Sequence, residues 1–207
     1  MKKIVAFALL ILLNISFVLA QNTDQGIVSI TILPRCSLDL KPGWNLVSLC
    51  VNKTGNVEDI FDYSKTKFRF VLKWKWNGSH SEFEVYSPRA ANNPFNTTSL
   101  NESYFILVYN ETNLGYNGKL NQNLSIRMFE GWNAPSWPYE FSTDITKYFD
   151  PSKHRYLMKW NKQTQLFEIY SPRASNNPFT KIFMGEGQFI YAYFNHTLYY
   201  NRNYLSN

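Results

Sequence analysis

Apolar and polar positions alternate in short runs along this chain, the two-residue period of half-buried strands. Residues 27–33, Ile-Val-Ser-Ile-Thr-Ile-Leu, predict a strand within a linking segment over 21–35. Residues 36–40 and 44–50 predict two arms of a hairpin about Pro42-Gly43, a turn pair. Residues 56–64 read as a short helix with Asn56 at the N-cap and Glu58 and Asp59 in its first turn. Residues 68–76 and 82–87 predict a second hairpin about Asn77-Gly78, and residues 104–109 a strand after a loop rich in Pro and Asn. Further on, 155–160 and 166–171 predict a hairpin through Lys162-Gln163-Thr164, followed by strands over 188–194 and 197–200. The predicted fold class is mainly β: two tandem small antiparallel β units, each with one short helix.

The pattern is written twice. Residues 83–95 (Phe-Glu-Val-Tyr-Ser-Pro-Arg-Ala-Ala-Asn-Asn-Pro-Phe) and 167–179 (Phe-Glu-Ile-Tyr-Ser-Pro-Arg-Ala-Ser-Asn-Asn-Pro-Phe) agree at eleven of thirteen positions, at an offset of 84. Gly43-Trp44-Asn45 recurs as Gly131-Trp132-Asn133 at an offset of 88. Phe105-Ile106 recurs as Phe189-Ile190, and Leu114 and Tyr116-Asn117 as Leu198 and Tyr200-Asn201, all at 84. Lys75-Trp76 matches Lys159-Trp160 at 84, or Lys73-Trp74 takes that place; the two choices leave the strand faces unchanged. One four-residue deletion after Asp62/Asp150 reconciles the offsets. The units run over 36–120 and 121–207, each small for an independent core, so the two are expected to pack together or share a sheet.

Gly43-Trp44-Asn45-Leu46-Val47-Ser48-Leu49 resembles the opening of a GWNLVSL-type repeat module of exported archaeal and bacterial cell-surface proteins. The order downstream is similar too over 36–201: a short helix, a strand ending near a Trp, a strand ending in Tyr, and a final hydrophobic strand. The second unit departs from it, with Ala134-Pro135-Ser136-Trp137-Pro138 in place of the usual opening. The resemblance implies a surface or extracellular module and supplies no catalytic residues.

The first twenty residues alter how the charge is read. Met1-Lys2-Lys3, an apolar run over 4–19 and the small-x-small Val18-Leu19-Ala20 form an export signal over 1–20, cleaved or kept as an anchor. Without it the net charge falls from +6 to +4, spread along both units with no basic block, so no nucleic-acid partner is expected. No second apolar run is long enough to span a bilayer, which leaves the N-terminal segment as the one route to a membrane. Export also argues against cytosolic enzymes and nucleotide-driven machines. The remaining 187 residues hold 34 aromatics, suited to pleated surfaces, and 22 Asn, suited to turns.

Cys36 and Cys50 lie on opposite arms of the predicted first hairpin, and export favours a disulfide between them. Closing a loop of that length is worth about 3 kcal/mol. In hairpin register, residue 41 then faces 45 across a short loop or bulge in which Gly43 takes positive φ. The alternative is two free, buried thiols. The second unit has Leu124 and Pro138 at these positions. Asn-x-Ser/Thr occurs at Asn52, Asn77, Asn96, Asn101, Asn110, Asn123 and Asn195, about twice the chance number, as candidate N-glycosylation sites or as a by-product of Asn richness.

Catalytic chemistry is hard to find. His80, His154 and His196 have no histidine counterpart in the other unit, and no metal-binding or nucleophile motif occurs. Gly185-Glu186-Gly187 reads as a solvated turn. Glu84 and Glu168 alternate with Phe83/Val85 and Phe167/Ile169 and read as the solvent face of a half-buried strand. No enzyme activity, cofactor or metal is expected. The repeated Trp44/Trp132 and Trp76/Trp160 read as core. The most distinctive segment is Tyr-Ser-Pro-Arg-Ala-x-Asn-Asn-Pro-Phe. In its structural reading Phe95 and Phe179 anchor the loop, and Arg89 and Arg173 bond to loop carbonyls. In its binding reading Arg89, Asn92, Asn93, Arg173, Asn176 and Asn177, with Trp137, meet glycans or a partner's carboxylates. The expectation is an exported or cell-surface structural or interaction protein, with envelope or surface proteins or glycans as partners. The alternative is a carbohydrate-binding module; a hydrolase would need two carboxylates facing one cleft.

Overall fold

The computed structural model describes residues 35–206; the predicted export signal and the strand predicted over 27–33 lie outside them. The first half builds β1 (Arg35–Leu40), β2 (Gly43–Ser48), β3 (Phe70–Trp76), β4 (Ser81–Tyr86), β5 (Ser103–Val108) and β6 (Thr112–Asn117). β1 pairs with β6, and the other four form an antiparallel sheet in the order β2-β5-β3-β4. The second half builds β7 (Asn123–Met128), β8 (Gly131–Asn133), a two-residue β9 (Thr143–Asp144), β10 (His154–Asn161), β11 (Leu166–Tyr170), a two-residue β12 (Lys181–Ile182), β13 (Phe189–Ala192) and β14 (His196–Asn201). β7 pairs with β14, and β8-β13-β10-β11 form the second four-stranded sheet. The fold is mainly β, and one strand order occurs twice.

The first predicted hairpin does not form. β1 and β2 leave Pro42-Gly43 into different sheets, β1 onto β6 and β2 onto β5. β1 buries one face through Cys36, Leu38 and Leu40, whereas residues 46–51 are buried without alternation. An unbroken buried run suits a strand covered on both faces, not one arm of a two-stranded ribbon. Asn45 holds the corner: its Oδ1 accepts the Lys41 N–H at 2.8 Å and its Nδ2 donates to the Lys41 carbonyl at 2.7 Å. Asn133 does the same for Phe129, at 2.8 and 2.7 Å. Gly43 and Gly131 enter these corners at φ of +98° and +91°, a region that disfavours any Cβ. The recurrence of Gly-Trp-Asn therefore has a backbone cause. Cys36 and Cys50 still meet as a disulfide, with Cα atoms 5.5 Å apart, but it joins β1 to the chain beyond β2.

The predicted helix over 56–64 resolves into two single turns, α1 (Val57–Ile60) and α2 (Tyr63–Thr66), broken by Asp62 at φ +43°. Asn56 stands at the N-cap, yet its side chain caps nothing and its Nδ2 contacts Asp59 at 3.4 Å. The second half has a 3₁₀ turn over Ile145–Lys147 there, and α3 (Arg202–Leu205) ends the described chain.

Cross-strand partners also fix the repeat register. Lys73 faces Glu84 and Trp74 faces Phe83; Lys159 faces Glu168 and Trp160 faces Phe167. Lys159-Trp160 is thus equivalent to Lys73-Trp74, not Lys75-Trp76. The four-residue difference splits into two pairs, one near the helical turns and one at the hairpin tip.

Each half has its own core. Cys36, Leu38, Phe61, Tyr104 and Ile106 belong to the first, and Trp137, Tyr139, Leu157, Ile190 and Tyr200 to the second. A third cluster, centred on Leu46, Phe105 and Phe189, draws on both four-stranded sheets. Its contacts come in reciprocal pairs. Trp74 Nε1–H donates to the Trp132 carbonyl and Trp160 Nε1–H to the Trp44 carbonyl, each at 2.8 Å. Trp74 meets Phe189 edge-on at 5.6 Å, and Trp160 meets Phe105 at 5.3 Å. The equivalent residues Phe105 and Phe189 pack on each other at 6.0 Å. Bridges Val47↔Glu186 and Glu102↔Pro135 extend the pairing at the two rims. Reciprocity of this kind defines a pseudo-two-fold interface between the two sheets.

Two sequence readings change here. Gly185-Glu186-Gly187 is not a solvated turn: Ser48 N donates to the Gly185 carbonyl and Gly187 N to the Leu46 carbonyl, both at 3.0 Å. A Cβ on Gly187 would stand 2.8 Å from the Val47 carbonyl oxygen, so close backbone approach explains the glycine. Glu84 and Glu168 do not form the solvent face of their strands. Phe83 and Val85, at 40% and 44% exposed, are more open than Glu84. Glu84 is bonded to Lys75 at 2.5 Å and faces Lys73 at 3.5 Å. Burial alone would raise its carboxyl, and these two ammoniums outweigh that and hold it below its usual range. Phe83 instead turns toward the aromatic interface, 4.6 Å from Trp74.

Candidate functional site

The Tyr-Ser-Pro-Arg loops follow β4 and β11 and are held alike. Asn93 Oδ1 accepts the Ser87 N–H at 2.8 Å and its Nδ2 donates to the Ser87 carbonyl at 3.1 Å. Asn177 does this for Ser171 at 2.8 and 3.0 Å. Ala90 and Ala174 close a turn on the same two carbonyls. Phe95 is buried and Phe179 half-buried beneath the loops, where the Lys73 and Lys159 ammoniums lie over their rings at 5.0 and 4.9 Å. Asn93 and Asn177 are therefore loop clamps, with their amides already committed. Asn92 and Asn176 are exposed. Arg89 and Arg173 do not bond to loop carbonyls as expected; both are exposed, and only their backbone N–H groups reach inward, to Ser87 and Ser171 Oγ at 3.4 Å.

The freed guanidinium groups line two equivalent grooves, of about 410 and 270 Å³. In the first, Arg69 precedes β3 and Phe70 opens it, Ser87-Pro88-Arg89 form the loop, and Tyr109 follows β5. In the second, Arg155, Tyr156, Ser171-Pro172-Arg173 and Tyr193 take the same places. Five of these six positions keep their residue and the sixth exchanges Phe for Tyr. β1 and β7, which face the cores, share one residue in six. Arg69 lies 5.1 Å from the Phe70 ring centroid and Arg155 5.0 Å from that of Tyr156. Tyr109 is 56% exposed. Neither groove is lined by an acidic residue. Among the described residues none of these four arginines has a carboxylate partner, whereas Arg202 is paired with Glu140.

The other predicted site residues lie elsewhere. Trp137 is fully buried, its Nε1–H bonded to the Phe141 carbonyl at 2.7 Å, so it offers no face to a ligand. Asn52, Asn77, Asn96, Asn101, Asn110, Asn123 and Asn195 are all exposed. Among the described residues no group of three His, Cys, Asp or Glu side chains converges as a metal site. The arginines Arg69 and Arg155 escaped the sequence reading because their match appears only at an offset of 86, which the strand register supplies. No family model, curated protein or solved structure matches the chain.

Proposed function

We propose that this chain is an exported or cell-surface interaction protein, non-catalytic, built of two repeated β modules of the GWNLVSL type. The observation that carries this reading is the pair of equivalent grooves: two loops held by the same Asn clamp, each leaving its arginine exposed. Arg69/Arg155 and Arg89/Arg173 are exposed in both copies, and the loop clamp does not use their guanidinium groups, so their recurrence points to a shared partner. The Cys36–Cys50 disulfide is weakly consistent with an extracellular setting. Seven exposed sequons fit the same setting.

Fractionation of native cells tests the location. The protein is expected in the envelope or medium, its N-terminus at Gln21 by mass spectrometry if the signal is cleaved; recovery from the cytosol would overturn the reading. A pull-down from envelope material, with and without its glycans removed, tests the interaction. A second reading, a carbohydrate-binding module, is favoured by the exposed Tyr109 beside Arg89 in one groove.

A further inference from the structure

Building on that reading of the grooves as binding sites, we infer that each takes an acidic sugar residue, so that the protein grips an anionic polysaccharide at two equivalent points. Two exposed arginines per groove, with no lining carboxylate, leave a local positive charge that favours an anionic ligand. A guanidinium fork matches the two oxygens of a carboxylate or sulfate. Arg69 and Arg155 already lie over the Phe70 and Tyr156 rings, which leaves Tyr109 in one groove and Tyr193 in the other as the aromatic surface for the apolar face of a pyranose ring beside that charge. A neutral glycan would use the rings and accept guanidinium hydrogen bonds at its hydroxyls, but would leave the charge of both groups without a counter-charge. An acidic peptide would use the charge and has no ring to place on the aromatics. The pseudo-two-fold relation between the sheets repeats the site, so the chain offers two equivalent binding points to an anionic polysaccharide.

Titration calorimetry of the purified protein checks this with four probes: an oligogalacturonate, a dextran oligomer of equal length, dextran sulfate and poly-glutamate. Oligogalacturonate or dextran sulfate is expected to fill two equivalent sites; which of them binds identifies carboxylate or sulfate as the acid. Arg69→Gln with Arg89→Gln is expected to remove one site, and Arg155→Gln with Arg173→Gln the other. Each exchange weakens binding at its groove by about tenfold or more. Arg→Lys versions of the same pairs keep the charge and lose the fork, and are expected to give intermediate losses. Arg127→Gln, outside both grooves, should leave both sites intact. Equal binding of poly-glutamate would overturn the sugar assignment in favour of an acidic polypeptide. Unchanged binding by the fourfold variant, or preference for neutral dextran, would overturn the inference while leaving an interaction protein standing. Failure to bind any glycan or any envelope component would sink both.

Discussion

The two halves share a strand order but stabilise it differently. At one equivalent pair of positions the first half has Leu49-Cys50 and the second Trp137-Pro138. In the first, Cys50 bonds to Cys36 and ties β1 to the chain beyond β2. In the second, that cross-link is replaced by an aromatic nest: Trp137 contacts Tyr139, Phe141, Tyr148 and Tyr200 at centroid distances of 5.2 to 5.8 Å. Pro138 takes the place of the missing cysteine, and its carbonyl accepts from Asn121 Nδ2 at 2.8 Å. A second exchange follows the same line. Phe68 and Thr112 of the first half are replaced by His154 and His196, whose Nε2 atoms lie 2.9 Å apart. One fold therefore tolerates a covalent staple in one copy and packed rings in the other, because either joins the two-stranded to the four-stranded sheet.

The difference predicts opposite vulnerabilities. Trp137→Ala removes the centre of the second core and should cost about 3–5 kcal/mol. Hydrogen exchange should show the loss in β7 and β14, with β1 and β6 little affected. An equal loss in both pairs would show that the cores do not act separately. Removing the disulfide, by Cys36→Ala with Cys50→Ala, should cost about 3 kcal/mol and reverse the pattern, exposing β1 and β6 first. A reducing agent should mimic that double variant and leave the Trp137 region untouched.

The histidine pair makes acid a third probe. Asp150 N–H donates to His154 Nδ1 at 3.2 Å, so the His154 proton lies on Nε2 and points to His196 Nε2. His196 Nδ1–H in turn donates to the Phe194 carbonyl at 2.9 Å. This chain of donors closes only when both rings are neutral. Burial, then the neighbouring His196, lowers the His154 pKa to about 4, with Asp150 partly opposing. A depressed folded-state pKa means full stability above the ordinary histidine range, with the contribution lost as pH falls toward 4. The second half should lose on the order of 2 kcal/mol over that interval. His154→Phe with His196→Thr, which installs the first half's residues, should flatten the acid limb in urea titrations. An unchanged limb would place its origin among the carboxylates.

The repeat was legible in the sequence because its matching residues do specific local work: Gly-Trp-Asn builds a corner, and Ser-Pro-Arg with a later Asn builds a clamped loop. The register of β3 was not, because Lys73-Trp74-Lys75-Trp76 repeats within itself and only cross-strand partners choose between its halves. β6 and β7 were missed because Asn, Gly and Ser occupy their outward positions and dilute the strand signal. Trp137 looked available for binding because it breaks the repeat; a unique Trp proved to be a core substitute for Leu49. The glycines at 185 and 187 looked like a loose turn because close backbone approach leaves no mark beyond the glycine itself.

The smallest expected effect tests the symmetry between the halves. Trp74→Phe and Trp160→Phe each keep an aromatic ring in the interface and delete one indole N–H···O=C bond, worth about 1 kcal/mol. Perfect two-fold equivalence would make the losses equal. The acceptors are not equally served, however. The Trp44 carbonyl also receives Gln165 Nε2 at 3.0 Å, while the Trp132 carbonyl has only Ser81 Oγ at 3.4 Å in reserve. Removing the Trp160 donor thus leaves a satisfied carbonyl, and removing the Trp74 donor leaves one poorly paired. Trp74→Phe should be the costlier of the two by about 0.5 kcal/mol, and Gln165→Ala should erase that gap by stripping the Trp44 carbonyl of its second donor. Equal losses in the parent background would mean that the spare donors do not matter, and no loss in either variant would mean that the rings alone, and not the reciprocal hydrogen bonds, hold the sheets together.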